Sequence, residues 1–289
     1  RSTLFPYTTL FRSEPLNQMY DYHTHTAFSD DAEVPMENMI ISAIKKGVKE
    51  IAVTDHFDPD YPDPEFPFLI DFYSYYRDLL MYEEAYAGKI DIIKGIEIGI
   101  QHGKTINKCK YIAGSFGYDF IIGSFHCFNG HDLYKYEYVR EKTEKTVMEF
   151  YEYMLSCLEQ FNNYDVLGHF NIIDRYLPYV PDYDQYMDVI AAILRLLIRN
   201  GKGIEINTSS FRYGMGERTT AAKEILLLYK DLYLDKFAPS EAPIITVGSD
   251  AHSSEYIAYK YFDTVEYMKS LGFEKLSLFK ERELRQIKI

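Results

Sequence analysis

Short apolar, β-branched runs alternate along the chain with longer segments in which apolar residues recur at helical spacing. Such alternation indicates repeated βα units and a parallel sheet. The runs predict seven strands, at residues 19–22, 50–54, 92–98, 120–124, 166–168, 203–207 and 244–248. The segments around them predict helices near residues 35–47, 71–87, 104–116, 138–162, 184–200, 217–235 and 255–270. Because the sequence shows no internal repeat or linker, a single α/β domain at residues 19–289 is the simplest interpretation.

Residues 1–13, RSTLFPYTTLFRS, stand apart from this pattern. The stretch TLFPYTTLFRS resembles the conceptual translation of a sequencing-library adapter. We therefore interpret residues 1–18 as an artefact of sequence assembly or a disordered N-terminus, and we expect the authentic chain to start at Met19. A natural N-terminal segment is the alternative interpretation.

Composition and charge narrow the class of protein. Of the 289 residues, 47% are hydrophobic and 26% are charged, which suits a well-buried core. The formal net charge of −13 and the pI near 5.1 argue against a nucleic-acid-binding surface, which is normally basic. Apolar runs stay short of the roughly 18 residues that a membrane helix needs. The three separated cysteines predict neither disulfides nor a thiolate metal site. Together these features lead us to expect a cytoplasmic protein that binds neither nucleic acid nor membrane.

The histidines follow the predicted strands closely. Six of the eight lie at or just after the end of a strand, and these are His23, His25, His56, His126, His169 and His252. In barrels of βα units the catalytic groups come from the C-terminal strand ends, where side chains of different strands converge. A lone histidine is often a core residue, but six placements of this kind favour one shared site.

Carboxylates accompany these histidines. Glu97 lies inside the apolar run KGIEIG, where burial of a carboxylate without a cation would be costly. Asp250 and His252 are two residues apart, like His23 and His25, so on an extended segment both side chains of a pair point to one face. Oxygen and imidazole ligands without thiolates suit Zn, Mn or Fe. The residues alone therefore predict a site for divalent metal ions.

The motifs HTHTAFSDD, TDH, GIEIG, GSFH, GHF and GSDAH resemble the polymerase and histidinol phosphatase (PHP) family of metal-dependent phosphoesterases. The resemblance runs from about Met19 to His252 and is strongest to the monofunctional histidinol-phosphatase branch. It implies a distorted (βα)7 TIM-like barrel that holds two or three divalent metals at the C-terminal ends of its strands.

The resemblance also implies which residues hold the metals. For the first ion they are His23, His25, Glu97 and Asp250. For the second they are His126, His169 and again Glu97, which would bridge the two ions. For the third they are His56, His252 and an acidic residue of the loop after the first strand, either Asp30 or Asp31. The SD step of the family favours Asp30, and Asp31 stays open.

The implied activity is hydrolysis of L-histidinol phosphate, a small phosphorylated metabolite of histidine biosynthesis, by a hydroxide held between the first two ions. Arg175 and Arg212 resemble phosphate-binding positions of this branch, with surface salt bridges as the alternative for each. Glu97 and Asp250 would hold the reacting centre, and Asp55 or His252 would pass a proton to the leaving group. The alternatives are a PHP phosphoesterase for nucleotides or protein phosphotyrosine, and a catalytically inactive metal-binding protein.

Overall fold

The structure is a computed structural model that describes residues 18–135, 143–216, 218–237 and 241–289. Apart from Gln18, the expectation for residues 1–18 lies outside this range. The strands in chain order are β1 (Met19–Thr24), β2 (Val48–Val53), β3 (His56–Phe57), β4 (Asp91–Gly99), β5 (Phe120–Ser124), β6 (Cys127–Phe128), β7 (His131–Asp132), β8 (Val166–Leu167), β9 (Gly203–Asn207), β10 (Ile245–Gly248), β11 (Lys275–Lys280) and β12 (Glu283–Lys288). The helices are α1 (Met36–Lys46), α2 (Phe72–Ala85), α3 (Thr105–Ser115), α4 (Thr143–Leu158), α5 (Met187–Arg199), α6 (Lys223–Lys236) and α7 (Tyr261–Ser270).

Seven parallel strands form a nearly closed barrel, in the order β1, β2, β4, β5, β8, β9, β10, and the short β3 pairs with β4. The ring closes where the segment after β10 meets β1. There the backbone N–H of His25 donates to the carbonyl of Ala251 at 2.9 Å, and the N–H of Asp250 donates to the carbonyl of His23 at 2.8 Å. The predicted seven strands and the distorted (βα)7 barrel are therefore confirmed.

Two helices begin later than the sequence predicts. The segment expected to start a helix near residue 217 instead returns to β9, where the N–H of Ala221 donates to the carbonyl of Glu205 at 3.3 Å, and α6 begins at Lys223. The segment from residue 255 is held by buried Asp21, whose carboxylate accepts the N–H of Ala258 at 2.7 Å, and α7 begins at Tyr261. In both places a tertiary hydrogen bond overrides the helical pattern. The start of the predicted helix 138–162 lies partly outside the described residues, and α4 covers 143–158.

A C-terminal hairpin of β11 and β12 closes the other end of the barrel, and it was missed in the sequence analysis. Its inward residues Leu276 and Leu278 are buried. The N–H of Phe279 donates to the hydroxyl of Tyr22 at 2.9 Å, and the hydroxyl of Ser277 accepts the N–H of Ile245 at 3.0 Å. The hairpin therefore seals the N-terminal strand ends, the end that stabilises such barrels rather than carrying their chemistry.

We expect Leu278→Ala to lower the free energy of unfolding by about 2–5 kcal/mol, because it leaves a cavity under the hairpin. The matched control is Leu284→Ala, since Leu284 lies in the same hairpin but is 43% exposed whereas Leu278 is fully buried. Urea unfolding of both variants measures the difference. Equal losses in the two variants would contradict the role given to the hairpin.

Candidate active site

The predicted metal-binding side chains meet at the C-terminal ends of the barrel strands. The members are His23 and His25 at the end of β1, His56 in β3, Glu97 in β4, His126 after β5, His169 after β8, and Asp250 and His252 after β10. Most of them are buried, and His126 and His252 are partly exposed. Parallel pairing of β3 with β4 sets His56 directly beside Glu97. Residues from opposite ends of the sequence are thus brought to one place by the barrel.

Glu97 lies at the centre of this cluster, and its two carboxylate oxygens face different imidazoles. Oε2 lies 3.3 Å from Nε2 of His23 and 3.0 Å from Nδ1 of His56. Oε1 lies 3.0 Å from Nε2 of His169 and 3.3 Å from Nε2 of His126. A carboxylate that divides its oxygens between two groups of imidazoles has the arrangement needed to bridge two metal ions.

The donor atoms around Glu97 fit a cation better than they fit one another. Nε2 of His23, Nε2 of His25 and Oε2 of Glu97 are buried and have no hydrogen-bond partner among the described residues. These three groups nevertheless offer ligand atoms within 4.8 Å of one another, and Oδ1 of Asp250 lies 3.3 Å from Nε2 of His25. Buried polar atoms without partners are costly, and a shared metal ion would satisfy all of them at once.

The pKa values of the cluster shift in different directions, because its charged groups act on one another. Burial lowers the pKa of His25 well below its usual value, and the nearby imidazoles of His252 and His56 lower it further. Burial alone would raise the pKa of Glu97, but His23 and His56 outweigh it and hold that pKa well below its usual range. Burial lowers the pKa of His23, but the carboxylates of Glu205 and Glu97 outweigh it and raise that pKa well above its usual value. A metal ion, which binds the neutral imidazole, would displace that proton.

Asp30 and Asp31, the two candidates for the third group, make different contacts. Oδ2 of Asp31 lies 3.1 Å from Nε2 of His252 and 3.8 Å from Nε2 of His56. The carboxylate of Asp30 instead accepts the backbone N–H of Phe68 at 2.6 Å. Of the two candidates, Asp31 therefore lies beside the two histidines, and the side chain of Asp30 fixes a loop.

Asp55 does not border the cavity described below. Its carboxylate is fully buried and accepts three hydrogen bonds, from the N–H and hydroxyl of Thr26 at 2.6 and 2.8 Å and from the hydroxyl of Ser29 at 2.7 Å. Burial raises the pKa of Asp55 to about 6. Because Ser29 in turn lies 3.3 Å from Nδ1 of His25, Asp55 supports a metal-binding histidine from behind.

The two predicted phosphate-binding arginines lie in different places. Arg175 borders the cavity described below, and its Nη2 lies 3.3 Å from Oδ2 of Asp250. Arg212 is not among the described residues that border the cavity. Its Nη2 donates to the carbonyls of Asp250 and Ser249 at 2.9 and 3.1 Å, and its guanidinium stacks 4.2 Å from the ring centre of Tyr256. Arg212 therefore holds the segment in which Asp250 adopts a left-handed φ of 53°.

A cavity of about 610 Å³ opens from the metal-type residues towards solvent. Its inner wall contains His56, His126, His169, Asp250 and His252. Its outer wall is mainly aromatic, with Tyr61, Phe68, Tyr134 and Tyr176, together with the acidic residues Asp63 and Asp132. Such a cavity has room for a small phosphate ester whose phosphate lies against the inner wall.

Several residues to which the sequence motifs assigned no role support this site. Asp58, two residues after His56, lies 2.7 Å from Nδ1 of His126, and Glu205, inside the apolar run GIEIN, lies 2.6 Å from Nδ1 of His23. The sequence gives a usable signal for both residues. Asp58 is two residues after His56, so both point to the same face of an extended segment, and the run GIEIN around Glu205 resembles the run GIEIG around Glu97. Asp132 had no such signal, because its position on the cavity wall depends on the turn between β6 and β7.

A parallel βα barrel with a cluster of histidines and carboxylates at the C-terminal ends of its strands is typical of one class of metal-dependent hydrolases. The sequence pattern of the PHP domain matches residues 21–209. The chain belongs to the PHP domain family. No helix in the described part of the chain is long and apolar enough to cross a membrane.

Several relatives are named as histidinol-phosphatases. A "Probable histidinol-phosphatase" of Clostridium acetobutylicum is 30% identical over 89% of this chain and 97% of its own length. The histidinol-phosphatase of Lactococcus lactis is 28% identical, over 90% of this chain and 93% of its own. The crystal structure of histidinol phosphate phosphatase from Lactococcus lactis, complexed with zinc, L-histidinol and phosphate, has a TM-score of 0.80 and 26% identity, and covers 92% of this chain and 98% of that one.

We expect Asp31→Asn to lower the metal content of the purified protein, by up to about one ion per chain, because an amide is a poorer ligand than a carboxylate. Asp30→Asn is the matched control and should keep the native metal content, since its carboxylate binds the backbone of Phe68. Elemental analysis of protein purified without chelator measures both. A loss confined to Asp30→Asn would reverse the assignment.

Proposed function

We propose that this chain is a metal-dependent phosphomonoesterase that hydrolyses L-histidinol phosphate to L-histidinol and phosphate, a step of histidine biosynthesis. The observation that carries the proposal is the buried carboxylate of Glu97 between two groups of imidazoles, 3.3 Å from His23 on one side and 3.0 Å from His169 on the other. The names and coverage of the relatives support the choice of substrate.

The chain would hold two or three divalent ions, of which Zn, Mn and Fe suit these ligands. The first position would use His23, His25, Glu97 and Asp250. The second would use Glu97, His126 and His169, and the third His56, His252 and Asp31. When bound, such ions supply an activated water molecule and neutralise charge on the phosphoryl oxygens.

Arg175 binds the phosphate in this proposal. Its guanidinium borders the cavity, stacks on Tyr213 at 4.7 Å from the ring centre and lies against Asp250, so it is fixed beside the metal positions. A planar guanidinium pairs with two phosphate oxygens at once. Arg212 acts through the backbone carbonyls of Ser249 and Asp250 and is a positioning residue.

His252 is the better placed of the two candidate proton donors. It borders the cavity and its Nε2 lies 3.1 Å from Asp31, whereas Asp55 is fully buried behind His25. Carboxylates of Asp31 and Asp250 raise the pKa of His252 although burial opposes this. When the third metal position is not filled, His252 therefore stands at the side of the cavity from which a departing alkoxide could take a proton.

Residues 19–289 form a single domain in this proposal, in keeping with one buried core that extends from Tyr20 to Ile287. The three cysteines, Cys109, Cys127 and Cys157, are buried and free, which suits the reducing cytoplasm. The substrate is a small phosphorylated metabolite, and the acidic chain relies on metals and Arg175 to bind it.

The substrate is tested by phosphate release from a panel of phosphate esters. L-histidinol phosphate should exceed a nucleoside monophosphate and a phosphotyrosine peptide by at least about tenfold in kcat/KM. Preference for either of the other two would replace the substrate and keep the metal-dependent phosphoesterase. Metal binding without hydrolysis of any ester would favour the catalytically inactive alternative.

We expect Glu97→Gln to lower kcat for L-histidinol phosphate by more than about a hundredfold without unfolding the barrel, because a neutral amide cannot bridge two cations. Glu159→Gln, an exposed site outside the cavity, is the control and should leave kcat unchanged. Phosphate release and circular dichroism measure activity and folding. A residual kcat above about a tenth of the native value would count against the bridging role of Glu97.

Asp132 is the residue that would recognise the ammonium group of the substrate. Aromatic side chains line the cavity between the metal positions and Asp132. The ring centre of Phe68 lies 4.9 Å from that of His56 and 4.8 Å from that of Tyr61. Nearby Asp132 adds to the burial that raises the pKa of the Tyr61 hydroxyl. Asp132 has no Lys or Arg within ion-pair distance among the described residues, whereas Asp63 on the same wall is paired with Lys135.

We therefore expect Asp132→Asn to reduce kcat/KM for L-histidinol phosphate by about tenfold or more, because one charged contact to the ammonium group is lost. The same variant should hydrolyse p-nitrophenyl phosphate, which has no ammonium group, as well as the native enzyme does. Asp63→Asn is the matched control and should change neither substrate strongly. Equal losses on both esters would show that Asp132 supports the cavity rather than selecting the leaving group.

A further inference from the structure

Two buried carboxylates lie behind the metal-binding residues and outside the cavity. They are Glu205 in β9 and Asp58 after β3, and their residues are only 1% and 2% exposed. We call them the outer carboxylates. Neither borders the cavity, so their contacts to the metal-binding histidines define what they do.

Glu205 contacts residues of the first and the second metal positions. Its Oε1 lies 2.6 Å from Nδ1 of His23, whose Nε2 faces Glu97. Its Oε2 accepts the backbone N–H of His169 at 2.9 Å and the side-chain amide of Asn207 at 3.1 Å. That amide also lies 3.3 Å from Oδ2 of Asp250. One carboxylate therefore fixes His23 and Asp250 of the first position and His169 of the second.

The contact to His169 matters because its backbone is unusual. His169 has a φ of +23°, a conformation that side-chain-bearing residues rarely adopt. Such a residue keeps its conformation only where the surroundings impose it. The hydrogen bond from its N–H to buried Glu205 provides that restraint and so fixes where the imidazole of His169 points.

Asp58 makes the corresponding contacts for the second and third positions. Its Oδ1 lies 2.7 Å from Nδ1 of His126, which leaves Nε2 of that ring to face Glu97 at 3.3 Å. Its Oδ2 lies 3.3 Å from Nδ1 of His56, at ion-pair distance but without hydrogen-bond geometry, and Nε2 of His56 faces Asp31. A carboxylate at the far nitrogen of a metal-binding imidazole sets the tautomer and orientation of the ring and raises its basicity.

Neighbouring strands are shaped to admit these carboxylates. A Cβ added at Gly248 would come within 2.3 Å of Oε1 of Glu205, and one at Gly99 within 1.8 Å of Oδ1 of Asp58. Any larger residue would displace the carboxylate from its histidine. The glycines of the GIEIG and VGSD motifs thus provide the space in which the outer carboxylates lie.

We propose that the outer carboxylates couple the three metal positions, Glu205 joining the first to the second and Asp58 joining the second to the third. Loss of either one weakens metal binding at two positions together, although no metal-binding side chain is removed. This inference rests on the metal-dependent part of the proposed function and not on the identity of the phosphate ester.

The test compares Glu205→Gln and Asp58→Asn with the native protein, each purified without chelator and loaded with Zn²⁺. Glu50→Gln is the matched control, because Glu50 is also a buried carboxylate but lies with Arg285 at the opposite end of the barrel. Titration with a chromogenic chelator counts the ions and measures the affinity of each. We expect affinity to fall by about 10- to 100-fold for two ions in each variant and for none in Glu50→Gln.

The double variant should lose affinity at all three positions, because Glu205 supports the first and second positions and Asp58 supports the second and third. At saturating Zn²⁺ the single variants should regain most of the native kcat, because their metal-binding side chains are intact. Should Glu205→Gln fail to fold, Asn207→Ala removes the amide that joins Glu205 to Asp250 and should weaken the same positions less strongly. Weakening of a single ion, or of none, overturns the coupling. Native protein that binds metal but prefers another ester overturns only the proposed substrate.

Discussion

The burial of a carboxylate at the centre of the barrel governs the rest of the structure. Glu97 has no solvent exposure, and a charge in such a place is tolerated only where opposite charge or strong donors surround it. Imidazoles from β1, β3 and the segments after β5 and β8 provide that environment. The barrel brings these strand ends together. Because Glu97 needs opposite charge or donors around it, the residues that follow these strands must include such side chains.

Around this centre the site is built in successive layers. Histidines and Asp250 contact Glu97 or one another. Outside them lies a further layer, in which Asp58 and Glu205 contact histidines directly and Asp55 acts through the hydroxyl of Ser29. Two acidic residues of one short motif thus support different histidines, Asp55 supporting His25 through Ser29 and Asp58 supporting His126. The same layering also separates the two arginines, since Arg175 borders the cavity while Arg212 holds the backbone of Asp250.

Sequence reasoning was strongest where one local pattern implied one place in the barrel. Apolar runs fixed the seven strands, and a histidine or carboxylate at the end of a run could only lie at the C-terminal face. It left a choice open where two neighbouring residues share the same chemistry. Asp30 and Asp31 are indistinguishable by type, and only their tertiary contacts separate them, Asp30 with the N–H of Phe68 and Asp31 with His252. The hairpin of β11 and β12 was missed because its partners, such as Tyr22 and Ile245, are distant in sequence.

The seam between β1 and the segment after β10 joins the beginning and the end of the barrel sequence. Its two backbone hydrogen bonds involve His23, His25 and Asp250, the same residues that would hold the first ion. A cation there would join two chain segments more than 200 residues apart, in addition to the hydrogen bonds at 2.8 and 2.6 Å by which Ser249 donates to the carboxylate of Asp21. Binding of a metal ion at that position would therefore add to the resistance of the barrel to heat and proteases.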